Sequence, residues 1–242
     1  MFDHDKCYFL QGSDGRIIFA IPYEQDFTLI GTTDADHGAA EETPVCSATE
    51  QAYLIDFANR YFKRQLAAED VVWTYSGVRP LYDDGAASAT AATREYVLSL
   101  QEDGPPVLNV FGGKITTYRR LAEAAMARLT PFFEEMSGDW TAGVALPGGD
   151  FAVDGVAALT AQHQARFPFL PEQTIARLTR CYGTDVPAVL GQATDKAGLG
   201  QGIAGISERE LEWAIRVEFV RELDDFLWRR TKQGLHLNQS QV

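Results

Sequence analysis

The stretch NVFGGKITTYRRLAEAA (residues 109–125) places Gly112 and Gly113 ahead of Lys114, then Ile115, Thr116 and a helical run. A glycine turn feeding a helix start gathers free backbone N–H groups and about half a positive charge at one point. Lys114 adds a whole charge, so the stretch has the chemistry of an anion holder. The structural alternative is a tight turn carrying a solvated lysine. A triphosphate-binding loop is excluded, because that pattern needs glycine five residues before Gly113 and Ser or Thr after the lysine. This chain has Leu108 and Ile115 there.

Two arginines could join that lysine. Arg79 lies in SGVRPL (76–81), where Pro80 stiffens the backbone, and Arg94 lies in TREYV (93–97) at the start of an expected strand. A guanidinium fork can clamp a carboxylate or phosphate through two hydrogen bonds. The alternative for Arg79 is an ion pair with Asp83 or Asp84. Spacing alone does not show whether Arg79, Arg94 and Lys114 converge on one phosphate.

Other chemistry is thin. GQGIAG (200–205) matches the dinucleotide pattern G-x-G-x-x-G, but no strand precedes it and no βαβ unit surrounds it, so it reads as a flexible connection. There is no G-x-S-x-G elbow, and His4, His37, His163 and His236 lack metal-ligand spacing. Cys7, Cys46 and Cys181 are odd in number with no C-x-x-C, which argues against a zinc site or disulfide framework and for a reducing, cytoplasmic setting.

The elements that must position these residues fall into two kinds. Residues 16–23 and 27–34 read as a hairpin around Glu24, Gln25 and Asp26. The stretch 47–66 switches to helical period behind a Ser47/Glu50 capping box. Strand patterns return at 71–82, 95–100 and 107–113, with a loop over 83–92 and a turn from Glu102 to Pro106. A helix from about Thr117 to Leu129 follows the glycines. Beyond residue 150 the chain reads as helices over about 154–166, 171–182, 185–191 and 207–230, the last behind a second capping box, Ser207 with Glu210.

The fold class is thus α+β, or mixed α/β: a sheet-rich part, a strand–turn–helix, and a small all-helical domain. With 242 residues, 45% of them hydrophobic, the chain can bury one large core or two small ones. No apolar run is long enough to span a bilayer, and the start lacks the pattern of a signal peptide. Net charge is −13. Residues 1–150 carry 23 acidic and 11 basic side chains, and the remainder 11 and 10, so composition shifts at LPGGD (146–150). Such an acidic surface argues against nucleic acid as a partner and against purely electrostatic docking on anionic lipid.

The motifs IGTTD (30–34), WTYSGVRPL (73–81), TREY (93–96), FGGKITTYRRLAE (111–123), LPGGDF (146–151), YGTD (182–185) and DFLWRRTKQG (225–234) occur in this order. Together they resemble the carboxy-terminal half of bacterial FAD-dependent, quinone-reducing (aerobic) glycerol-3-phosphate dehydrogenases, over nearly the whole chain. The resemblance implies that an amino-terminal FAD-binding segment, with its G-x-G-x-x-G, belongs upstream and is missing here. Residues 1–106 would be the substrate-binding part, 107–147 the return strand, glycine turn and helix of the FAD domain, and 148–242 the helical carboxy-terminal domain.

It further implies that Gly112, Gly113, Lys114, Ile115 and Thr116 contact FAD, with the helix dipole favouring negative charge on the reduced ring. Arg79, Arg94 and Lys114 would face glycerol 3-phosphate, with Arg79 and Lys114 in catalytic positions. The implied reaction removes a proton from the C2 hydroxyl of the substrate and moves hydride from C2 to the flavin, giving dihydroxyacetone phosphate, and electrons leave to a membrane quinone. The setting would be cytoplasmic, or peripheral on the inner face of the cytoplasmic membrane. Alone, the chain is expected to hold FAD weakly and to be inactive, and an uncovered sheet edge would favour aggregation or a homodimer. The alternatives are a related flavin-dependent oxidase of amines or hydroxy acids, and a stand-alone, non-catalytic binding module.

Overall fold

A computed structural model describes residues 4–35, 37–38, 42–79, 81–82, 95–238 and 241. In it the apolar run of Arg16–Tyr23 becomes a strand with one wet face. Strands β1 (Tyr8–Gln11), β2 (Ile17–Tyr23) and β3 (Phe27–Gly31) form an antiparallel meander in that order. Ile18 and Ala20 point inward and are fully buried, while Ile17 and Phe19 lie on the exposed face. Glu24 and Gln25 make the expected turn in left-handed conformations.

Helix α1 (Ala48–Asn59) covers the buried face, packing Phe57 against Leu10 and Ile18. Its capping box is complete: Ser47 Oγ accepts from Glu50 N–H, and Glu50 accepts from Ser47 N–H at 3.0 Å. The helix stops seven residues before the end of the 47–66 stretch. Asn59 is the cause, because its side-chain amide donates to the Leu66 carbonyl (3.0 Å) and accepts from Leu66 N–H (2.7 Å). That local closure competes with another helical turn.

The strand expected over 71–82 is a second departure. Its described residues join no ladder, and Leu81 N–H turns back to the Arg79 carbonyl at 2.8 Å. Strand propensity without a partner edge does not make a sheet. The hairpin of β4 (Tyr96–Gln101) and β5 (Val107–Gly112) does form, around the Glu102–Pro106 turn, and α2 (Tyr118–Leu129) follows. Together with the meander these elements make up the first of two compact units, Met1–Ala142; the second is Gly143–Val242.

In the second unit α3 (Val156–Arg166), α4 (Glu172–Tyr182) and α5 (Val186–Leu190) surround a core that includes Phe167, Ile175, Leu178, Val186 and Leu190. Strands β6 (Gly202–Ile203) and β7 (Ile206–Ser207) form a minimal hairpin ahead of α6 (Glu208–Val217). The helix expected over 207–230 is broken. Phe219 takes a left-handed φ of 60°, and Val220 N–H turns back to the Ala214 carbonyl at 3.2 Å. The chain resumes as a π-helix, Asp225–Arg230, whose Phe226 and Leu227 pack with Ile206, Ala214 and Val220.

The second capping box is only half present. Ser207 Oγ accepts from Glu210 N–H (3.3 Å), but the Glu210 carboxylate is turned inward. It takes two hydrogen bonds from Arg177, at 2.6 and 2.7 Å, and one from Tyr182 Oη at 2.9 Å. Burial works against the Arg177 charge, and the bonds and charge of Glu210 outweigh it, holding the guanidinium above its ordinary pKa. Burial, reinforced by the Glu210 charge, pushes the Tyr182 phenol upward, so it stays a neutral donor.

Candidate functional site

The glycine turn sits at the open end of the β4–β5 hairpin. The register pairs Tyr96 with Gly112, which brings Glu95 alongside the turn. Gly112 (φ 66°) and Gly113 (φ 102°) are both left-handed, conformations that a side chain resists. At Gly113 backbone conformation is the constraint and crowding is not, since an added Cβ would meet Tyr96 and Leu121 only at 3.5 and 3.6 Å. Two such residues in succession swing the chain from strand into a 3-10 turn, Ile115–Thr117, that leads into α2.

The first hydrogen bond of that turn runs from Thr117 N–H to the Lys114 carbonyl at 2.9 Å. Ile115 and Thr116 therefore start a helical segment with no intrahelical acceptor for their N–H groups. Ile115 is 89% exposed, an apolar side chain held in solvent beside those donors. Lys114 forms an ion pair with Glu95, both about half-exposed. The turn thus presents backbone N–H groups, an apolar cover and a cation on one open surface.

Arg79 forms its ion pair with Asp34, just past β3, and again both partners are half-exposed. The expected partners Asp83 and Asp84 lie outside the described residues, as does Arg94. The two described cations are held by different carboxylates and are not joined to each other. Their segments do meet: the ring of Tyr82, three residues after Arg79, packs on Phe111, three before Lys114, with centroids 5.6 Å apart. Half-exposed pairs of this kind are worth about 0–1 kcal/mol, so an incoming anion can displace the carboxylates at little cost.

Behind the turn, α2 is pinned by Glu123, a buried carboxylate. Thr141 Oγ1 donates to it at 2.5 Å and Arg119 at 2.7 Å. The Thr141 bond, with Arg119 adding its charge, holds Glu123 below the usual carboxylate range against the opposing effect of burial. Composition and spacing carry no sign of this contact, because Glu123 and Thr141 are 18 residues apart.

In the second unit, no site residue is expected, yet two motif segments meet there. The Gly148 carbonyl accepts from Thr184 N–H at 3.0 Å, and His163 Nε2 donates to the Gly183 carbonyl at 3.0 Å. LPGGDF and YGTD are therefore joined backbone to backbone, with His163 as the clasp. A histidine without metal spacing gives no sequence signal for such a role.

Comparison with known proteins gives a consistent result along the chain. Residues 3–119 match the family described as FAD dependent oxidoreductase, and residues 140–241 match the C-terminal domain of alpha-glycerophosphate oxidase. A glycerol-3-phosphate dehydrogenase of Pseudomonas aeruginosa is 43% identical over 100% of this chain and 48% of its own length. The aerobic glycerol-3-phosphate dehydrogenase of Escherichia coli K12 is 42% identical over 98% of this chain and 48% of its own. A D-erythritol 1-phosphate dehydrogenase of Brucella abortus is also 42% identical, over 98% of this chain and 47% of its own. The chain spans about half the length of these curated relatives. By these matches residues 3–119 are similar to the FAD dependent oxidoreductase family, residues 140–241 to the C-terminal domain of alpha-glycerophosphate oxidase, and the chain as a whole to the carboxy-terminal half of bacterial glycerol-3-phosphate dehydrogenases.

Proposed function

We propose that this chain is the substrate-facing, carboxy-terminal portion of an FAD-dependent dehydrogenase that oxidises glycerol 3-phosphate to dihydroxyacetone phosphate. The observation that carries the proposal is the turn at Gly112, Gly113 and Lys114, in a chain whose relatives bear that activity in their names. The residues fit the cofactor. The paired left-handed glycines keep the turn free of side chains, Ile115 offers an apolar contact to a flat ring, and the N–H groups of Ile115 and Thr116 are open to a ring carbonyl.

FAD bound there supplies a two-electron acceptor. The remaining work belongs to the chain. The α2 amino terminus and Lys114 stabilise negative charge as it develops at the turn. Arg79, Arg94 and Lys114 bind the phosphate and orient the C2 carbon of the substrate toward the turn. Glu95 and Asp34 hold Lys114 and Arg79 in place until the phosphate takes over.

The same proposal divides the chain into a substrate part (1–106), a return to the flavin domain (107–147) and a helical domain (148–242). It places an FAD-binding segment upstream of Met1 and passes electrons to a membrane quinone. It puts the enzyme in the cytoplasm, peripheral on the inner membrane face, with a homodimer as the assembly to look for. No described helix is long and apolar enough to cross a membrane.

The Brucella relative favours a second reading, in which the substrate is a longer polyol phosphate. One experiment separates the readings: purify the complete protein, read its flavin absorbance, and assay dye reduction with glycerol 3-phosphate, erythritol phosphate, glycolate and glycine. Flavin with preference for glycerol 3-phosphate supports the first reading, and preference for erythritol phosphate supports the second. Flavin-free protein, or activity confined to the unphosphorylated acids, overturns both.

A further inference from the structure

The second unit contains a cavity of about 370 Å³ that the dehydrogenase reading does not use. Its walls are mostly apolar: Leu170, Leu178, Leu190 and Leu199, closed by Ile203 and Ile206 of the β6–β7 hairpin. That hairpin is the GQGIAG segment, whose G-x-G-x-x-G pattern lies outside any βαβ unit. Its turn is made by Ala204 (φ 48°) and Gly205 (φ 83°), both left-handed, as a two-residue hairpin requires.

The cavity is held open. The Gly205 carbonyl accepts from Arg177 at 2.9 Å, and Arg177 is fixed by its buried pair with Glu210. Here the hairpin is anchored at its tip by a charged group, so it cannot collapse onto the leucines. A preformed, mostly apolar hollow of a few hundred Å³ is the usual form of a small-molecule site.

The polar groups on the lining set the ligand's head group. Lys196 is exposed at the cavity, and among the described residues its ammonium has no carboxylate or carbonyl partner. Nearby acids are already engaged: Glu208 accepts from Gln201 N–H, Asp195 accepts from Gly198 N–H, and Glu210 neutralises Arg177. The neighbouring Arg209 donates to the Gly198 carbonyl. Lys196 is thus the cation left for an incoming acid, and the Thr174 hydroxyl on the same lining can donate to it.

We propose that this cavity binds a small apolar molecule with one acidic head group, of which a medium-chain fatty carboxylate is the simplest member. The chain lies along Ile203 and over the edges that the leucines present to the hollow, and the carboxylate meets Lys196. The site is independent of the flavin turn, and the proposal stands whether or not the enzyme's substrate is glycerol 3-phosphate.

The test is calorimetric titration of the purified protein with decanoate below its micelle concentration, and with decanol as the uncharged control. Two variants accompany it: Lys196→Met, which keeps the apolar stem, and Ile203→Trp, which fills the cavity from a hairpin position that is 41% exposed. Thermal melts confirm that both remain folded. Saturable decanoate binding is expected, about fivefold tighter than decanol, with that advantage lost in Lys196→Met and both ligands lost in Ile203→Trp. Equal affinity for the two ligands, an unchanged Lys196→Met, or binding that survives Ile203→Trp overturns the assignment.

Discussion

The carbonyl oxygen of Gly148 lies 1.8 Å from the point where a Cβ on Gly183 would stand, so the two glycines pack backbone against backbone. The contact is reciprocal, because a Cβ on Gly148 would stand 2.4 Å from the Tyr182 carbonyl. Neither glycine is there for flexibility. Each makes room for the other's segment, and the bond from Thr184 N–H to the Gly148 carbonyl depends on that closeness. LPGGD therefore acts as the strap of the helical unit, tied to the end of α4.

Gly183→Ala tests the strap. The new methyl would suffer a backbone collision and a φ of 52° with ψ of −126°, which only glycine adopts easily. Strain and displacement together should cost about 3 kcal/mol or more. Gly15→Ala is the control, because φ is 81° there but nothing lies within 4 Å. It should cost about 1 kcal/mol. Thermal melts of the two variants decide; similar losses would mean that the collision is relieved by easy movement of LPGGD.

The Arg177–Glu210 pair gives a second expectation. Glu210 is 1% exposed, and Glu210→Gln leaves a buried guanidinium without its countercharge. Breaking such a pair costs about 3–5 kcal/mol. The double variant Arg177→Met with Glu210→Leu should recover much of that loss, although Tyr182 Oη and the Gly205 carbonyl lose partners. Urea denaturation of the set measures it. A double variant no better than the single would assign the loss to hydrogen bonds and not to the unpaired charge.

Glu123 makes stability depend on pH. Its folded pKa is depressed, first by the Thr141 hydrogen bond and then by Arg119, so in acid the unfolded chain binds the proton more readily. The stabilisation is fully present above the ordinary carboxylate pKa, about 4.3, and is lost as pH falls through the folded value. Melting temperature measured from neutral pH downward should drop less steeply in Glu123→Gln than in the parent, and Thr141→Ala should lie between them. Parallel curves would remove Glu123 from the account.

What the sequence makes legible follows from the range over which each signal acts. Short apolar runs around the polar turn at Glu24–Asp26 place β2 and β3, and Gly112-Gly113 ahead of a helix start places the turn, because each depends on near neighbours. The S-x-x-E spacing is correct at Ser47 and misleading at Ser207. Both glutamates can reach back to their caps, but only Glu210 has an arginine from another helix within reach. The break at Phe219 is invisible for a related reason: its amphipathic period continues while the backbone does not. Lys114 and Arg79 are identifiable from residue type and context. Their carboxylate partners, Glu95 and Asp34, come from other segments and emerge only with the fold.

Those carboxylates allow the final expectation to be framed as a contrast. On the proposed dehydrogenase function, Lys114→Met in the complete protein removes a charge-assisted bond to substrate phosphate and the cation beside the proposed flavin turn. Loss of about 1.5–3 kcal/mol corresponds to a fall of roughly 10–150-fold in kcat/KM. Arg79→Lys keeps the charge but gives up the two-pronged fork, so its effect should fall mainly on KM. Glu95→Gln, by contrast, disrupts only the pair that holds Lys114 before substrate arrives, a half-exposed contact worth about 0–1 kcal/mol. It should change kcat/KM by less than about fivefold, in either direction. Steady-state kinetics on the three variants give the comparison. If Glu95→Gln proves as damaging as Lys114→Met, the carboxylate and not the ammonium faces the reacting carbon, and the roles proposed for this turn would have to be exchanged.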